Sequence, residues 1–343
     1  MSNQPLNQSP DQSPDQSSQR SMTTAVSLAA VLAHCGGSPA GAVEWLVRAI
    51  ASAPSAPEPY AALAELRRDR RAELESALQG DSTLSAVLGQ GYFFFLDGAM
   101  DDAAMTLGSV TGARPDVAWG AAPWFGDARF LSGVSAEALA EACLRVLDPG
   151  HDLDSEEMRQ RFAPWFHALD VVSERSPVPD SLAAMSRLPR ACGHHELAFA
   201  LCDRADAVGP SMWTEVARAN TWRARGDLGR TAAAFERALT LDPANWSLHL
   251  DLADVRAEQG DFAAAVALVD GGLRHEPHEV TLRAAGAAYR TRLSGSPEDL
   301  RTLISLAPEL PNPGYRDVLI AYACEGAGLP GGLVREARSL CGS

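Results

Sequence analysis

Residues 246–279 read WSLHLDLADVRAEQGDFAAAVALVDGGLRHEPHE, and residues 212–245 immediately before them read MWTEVARANTWRARGDLGRTAAAFERALTLDPAN. Superimposed on Gly226 and Gly260, the two stretches share one skeleton. A small residue stands five places after the Gly (Thr231, Ala265) and an apolar one nine after (Phe235, Val269). A small residue stands twelve after (Ala238, Gly272) and a Pro seventeen after (Pro243, Pro277). Seven places before each Gly is another small residue, Ala219 or Ala253. Apolar residues recur at helical spacing on both sides of the Gly. Each stretch is therefore expected to form two antiparallel helices. The Gly ends the first helix, where a left-handed backbone needs no Cβ to be accommodated. The small residues let the two helix backbones approach, and the Pro, lacking an N–H, stops the second helix.

The skeleton occurs three more times: Gly37, Ala42, Leu46, Ala49, Pro54; Gly98, Ala103, Leu107, Val110, Pro115; and Gly193, Ala198, Cys202, Ala205, Pro210, preceded by Ala30, Gly91 and Ser186. The last three copies follow one another at 33 and 34 residues. A fixed period of this length is the mark of a solenoid. With Trp246, Leu252, Ala253, Ala265, Val269 and Pro277 at its positions, the best copy resembles the tetratricopeptide-repeat family, whose period is about 34 residues. The copy before it keeps Trp222 and Phe235 but has Arg218 where Leu is usual.

The resemblance implies an all-α, right-handed α-solenoid of antiparallel helix pairs with no β-sheet. The expected organisation is a disordered tail over 1–22, rich in QSPD and nearly devoid of apolar residues, and a solenoid over 23–343. Clear repeats are placed at 23–56, 84–117, 179–211, 212–245 and 246–279. Degenerate helical pairs are inferred by continuity at 57–83, 118–178 and 280–343. The last helix, about residues 331–340, is expected to be a solubilising cap with Leu333, Val334, Ala337 and Leu340 inward.

Composition narrows the function. The chain has 46% apolar and 21% charged residues, a formal charge of -15, and no Lys, so each of its 29 basic residues is Arg. An isoelectric point near 4.9 disfavours a general nucleic-acid or anionic-membrane surface, which needs a basic footprint. The first twenty-odd residues lack the cationic start and apolar core of a secretory signal, and no stretch reaches about 18 apolar residues. A cytoplasmic protein is expected. The six cysteines have no framework spacing and read as reduced thiols.

Catalytic signatures fail residue by residue. His195-Glu196 is followed by Phe199 where a zinc-protease helix needs its second His, and there is neither a Walker loop nor a nucleophile elbow. Cys192, His194, His195 and Cys202 tempt a zinc reading, yet Cys202 falls in the apolar slot held by Phe235 and Val269 in neighbouring copies. Asp154 with Glu157 reads as a helix N-cap and capping box rather than part of a calcium loop. No metal or cofactor is expected, nor an enzyme.

What remains is surface. In the family the first helices line a concave groove, and the same register places Tyr92 and Phe95 there in the N-terminal part. In the C-terminal part it places Arg187, Arg190, Trp213, Asn220 and Arg223, followed by Asp254 and Glu258. The expected function is a non-catalytic scaffold that holds a protein or peptide, the Arg favouring an acidic segment. Direct contact with nucleic acid or membrane is not expected. Asn220 matches one position of the clamp by which some family members grip a terminal carboxylate, but Asp251 stands where a second Asn belongs and no Lys exists. The competing readings are a regulator linked to nucleic acid through a partner, and an enzyme with a cryptic site on the same scaffold.

Overall fold

The structure, a computed structural model, describes residues 27–78 and 82–342. The tail expected at 1–22, and the first residues of the repeat at 23–56, lie outside the described residues. Helices follow one another through the described residues, with no strand among them. The N-terminal part holds α1 (Leu28–His34), α2 (Pro39–Ser52), α3 (Pro57–Asp69), α4 (Arg71–Leu78), α5 (Leu84–Asp97) and α6 (Met100–Ala113). The middle holds α7 (Ala128–Gly133), α8 (Ala136–Leu147), α9 (Glu156–Arg161), α10 (Ala163–Arg175), α11 (Pro179–Met185), α12 (Arg187–Ala191) and α13 (His195–Val208). The C-terminal part holds α14 (Met212–Ala224), α15 (Leu228–Leu241), α16 (Trp246–Glu258), α17 (Phe262–Leu273), α18 (Val280–Ser294), α19 (Pro297–Leu306), α20 (Pro313–Cys324) and α21 (Gly331–Arg338). From α13 to α19 each helix packs on the next, and α18 also packs on α20. This nearest-neighbour packing makes an α-solenoid.

The five skeleton glycines all sit in the turn between two helices, with φ between 70° and 85°. At Gly226 and Gly260 the turn is closed by a pair of backbone bonds. Gly226 N–H donates to Arg223 O and Asp227 N–H to Trp222 O, and the same two bonds recur from Gly260 and Asp261. They satisfy carbonyls left over at the helix end. Asp227 and Asp261 then start the next helix, their carboxylates accepting from the N–H of Arg230 and Ala264 at 3.0 Å. One Gly-Asp dipeptide thus ends one helix and begins the next. The skeleton prolines follow two residues after α2, α6, α13 and α15 and four after α17.

Packing follows the same positions. Ala42, Ala103, Ala198, Thr231 and Ala265 are fully buried, as are Leu46, Cys202 and Val269, with Leu107 and Phe235 nearly so. Of the small residues before each Gly, Gly91, Ser186, Ala219 and Ala253 are buried, but Ala30 is exposed. Helix α1 spans only 7 residues and buries Leu28 and Val31 instead. Two helices come especially close elsewhere, α6 and α8. A Cβ on Gly108 would lie 2.5 Å from Ala142 O, and one on Gly112 2.3 Å from Arg145 O. The apolar core runs from Leu28 to Ala205 and resumes at Ala219, bridged at the seam only by Ala183, Cys202 and Ala217.

Candidate peptide-binding groove

That seam is where the Arg residues gather. Pro189 lies in what the register makes a first helix, and without an N–H it cannot bond back to Met185, while its ring crowds that carbonyl. The helix breaks at Ser186, whose hydroxyl donates to Ala183 O at 2.7 Å. Arg187 and Arg190 therefore belong to a separate short helix, α12. Between α11, α12 and α14 is a pocket of about 310 Å³, floored by Ala183, Val216 and Ala217 and walled by Arg187, Arg190, Trp213 and Asn220.

The pocket sets two Arg side chains against a largely apolar lining. Among the described residues no carboxylate pairs with Arg187 or Arg190. Asp180, on the rim, is instead bonded by the Ser211 hydroxyl at 2.8 Å. Nη1 of Arg190 is buried and has no hydrogen-bond partner. Burial, and after it the neighbouring charge of Arg187, pull the Arg190 pKa down to about 10. Trp213 is 55% exposed, unusual for so large an apolar ring. Asn220 donates its amide to Val216 O, one turn back, at 3.0 Å, which leaves its carbonyl oxygen for a ligand.

Arg223, Asp254 and Glu258 are not part of this pocket. Arg223 is hydrogen-bonded to Glu258, and Asp254 accepts from the Tyr289 hydroxyl and, at 2.8 Å, from the Tyr315 hydroxyl. These bonds tie α16 to α18 and α20, so the three residues hold the array together and are already satisfied. Beside them Asp251 accepts no hydrogen bond from the described residues. Burial, then the charge of Asp254, push its pKa up to about 6, while Arg223 opposes the rise. Asp254 is also raised, chiefly by burial, against the lowering effect of its two tyrosine bonds.

Tyr92 and Phe95 are not groove residues either. Each is only 8% exposed. Their rings stack at 6.0 Å, Tyr60 meets Tyr92 edge-on at 5.2 Å, and Trp124 lies 5.4 Å from Phe95. The aromatic strip is core between α3, α5 and the segment before α7, because rings of this size bury more area against one another than against water.

Other sequence features resolve locally. Ser155, not Asp154, caps α9 by accepting from Met158 N–H at 3.1 Å, whereas Asp154 pairs with Arg159 at 3.0 Å. Cys202 packs with Ala183 and Ala217, and among the described residues no cluster of three His, Cys, Asp or Glu is arranged to hold a metal. Arg218, at the usual Leu position, bonds Asp203 at 2.8 Å and also Asp206, so this unit is closed by an ion network where the two beside it bury Met185 and Leu252. Tyr289 and Tyr315 escaped the sequence reading, since they lie in degenerate units where no skeleton fixes the register. No helix among the described residues is long and apolar enough to cross a membrane.

These features define a helical-repeat array with a pocket between α11, α12 and α14. A tetratricopeptide-repeat family model matches residues 223–289, from the last residues of α14 into α18. Residues 223–289 thus carry tetratricopeptide repeats, and such a fold serves in general as a scaffold for protein interaction. No match is found among curated proteins. Among solved structures, a thermophilic tetratricopeptide-repeat protein of Thermus thermophilus is 17% identical, with a TM-score of 0.30, over 54% of this chain and 92% of that one. A tetratricopeptide-repeat protein from Parabacteroides merdae is 15% identical, with a TM-score of 0.35, over 90% and 94%. The Cut9–Hcn1 hetero-tetramer of the APC/C is 11% identical, with a TM-score of 0.35, over 87% and 52%.

Proposed function

We propose that this chain is a non-catalytic scaffold that grips an acidic segment of a partner protein at the seam between α12 and α14. The observation that carries the reading is the pocket built from Arg187, Arg190, Trp213 and Asn220. It offers two guanidinium groups without carboxylates, an exposed indole and an amide oxygen in one concavity. Arg supplies forked hydrogen bonds to carboxylates, Trp213 supplies apolar area on contact, and the Asn220 oxygen accepts from a peptide N–H.

Many of the other Arg side chains in the described residues are paired. Arg67, Arg159, Arg204, Arg218, Arg223 and Arg290 all contact carboxylates. In a chain with 44 acidic residues, two adjacent Arg that line one pocket without an ion pair, one of them with a buried and unbonded Nη1, suit a partner that supplies the charge. Capture from lysate of the native cell with the wild type and with Trp213→Ala is the test. The exposed Trp213 contributes little to folding, so the variant should keep its thermal stability within about 0.5 kcal/mol and lose the specific partner. Retention of every partner by Trp213→Ala, in a folded variant, overturns the reading.

A further inference from the structure

Resting on that reading of the pocket, we propose that the group it receives is a dianion, the phosphoryl group of a phosphorylated Ser or Thr in the partner segment. Arg187 and Arg190 stand one helical turn apart on α12, where like charges repel. A carboxylate carries one charge and is filled by one guanidinium. It would leave the second Arg, whose buried Nη1 already lacks a partner, still unneutralised. A phosphoryl group carries close to two charges near neutral pH and offers three acceptor oxygens, which matches two forked guanidinium groups.

The surroundings fit the same group. A volume of about 310 Å³ exceeds what a phosphoryl group fills, so the residue bearing it and an apolar neighbour have room against Ala183, Val216 and the Trp213 ring. The Asn220 oxygen is one turn of α14 farther along, placed for the N–H of an extended peptide. Asp180 lines the same pocket but makes no ion pair with either Arg among the described residues; its Oδ1 accepts from the Ser211 hydroxyl.

The full chain is panned against three degenerate octapeptide libraries that differ only in a fixed central residue: phosphoserine, Glu or Ser. The best peptide of each is then titrated by calorimetry, and inorganic phosphate is titrated separately while the Arg Nε–H resonances are followed by NMR. Phosphoserine should bind about tenfold or more tighter than Glu, Ser should not bind measurably, and phosphate alone should move the Arg187 and Arg190 signals. Arg187→Gln, at an exposed side chain, should bring phosphoserine down to the Glu level with an unchanged circular dichroism spectrum. Arg190→Gln should do the same, and the Arg187 variant decides the matter if the Arg190 variant does not fold.

Equal affinity for phosphoserine and Glu overturns the dianion while the acidic-segment reading stands. No binding from any library overturns both. Phosphate binding with no preference for phosphoserine over Ser overturns the peptide as the source of the anion. A phosphoserine preference that survives Arg187→Gln overturns the site.

Discussion

Replacing Asp251 by Asn should stabilise the protein at pH 8 and do little for it at pH 4. Asp251 is partly buried on α16 beside Asp254, without a hydrogen bond to its carboxylate from the described residues, and its pKa is pushed up to about 6 against an ordinary 3.8. At 1.36 kcal/mol per unit, this rise corresponds to about 3 kcal/mol of cost for keeping the charged form in the folded state. The folded state holds its proton more tightly than the unfolded chain. Stability therefore rises as pH falls from above 6 toward 4, and the cost is fully present only above the folded pKa.

Asn removes the charge and keeps the shape. Whatever its amide costs in hydrogen bonding is common to both pH values and cancels in the comparison. The difference in ΔΔG between pH 8 and pH 4 should thus be about 2–3 kcal/mol, in favour of the variant at the higher pH. Urea denaturation of both proteins at several pH values, followed by circular dichroism, measures it. A ΔΔG that does not change with pH would show that Asp251 is solvated and that the reasoning about its burial is wrong.

Gly108→Ala should destabilise by about 1–3 kcal/mol, because its Cβ would meet the Ala142 backbone at 2.5 Å and neither helix can give way locally. As a control, Gly229→Ala on the open face of α15 meets only Asp227 Oδ1 at 3.6 Å and should be neutral or stabilising by up to about 1 kcal/mol; denaturant midpoints compare the two directly. Tyr315→Phe removes the 2.8 Å bond to Asp254 and should lower stability by about 1.5–3 kcal/mol, as is usual for a bond to a charged group. It should also speed amide exchange in α16, α18 and α20, which that carboxylate joins; exchange that speeds up in α20 alone would mean that Asp254 does not link the three.

The helix-pair architecture was legible in the sequence because each of its parts acts locally. A Gly that must turn left-handed, an Asp that caps the following helix and a Pro that ends it need only their near neighbours, as Gly226, Asp227 and Pro243 show. Burial at the small positions was legible too, down to Ala219 and Ala253, with Ala30 on the short α1 the exception. The groove was legible only in part. Counting from the skeleton brought Arg187, Arg190, Trp213 and Asn220 to one face, and they do share a pocket. The count treated Arg223, Asp254 and Glu258 as equally free, yet their state depends on side chains up to 61 residues away, since Tyr315 reaches Asp254 across that separation. Tyr92 and Phe95 had the period of a groove face, but Tyr60 and Trp124 close over them. Whether a residue that faces inward meets solvent or a partner is set by how far the array curves. That curvature is the sum of many helix contacts, among them the Gly108 approach to Ala142, so only the tertiary structure decides it.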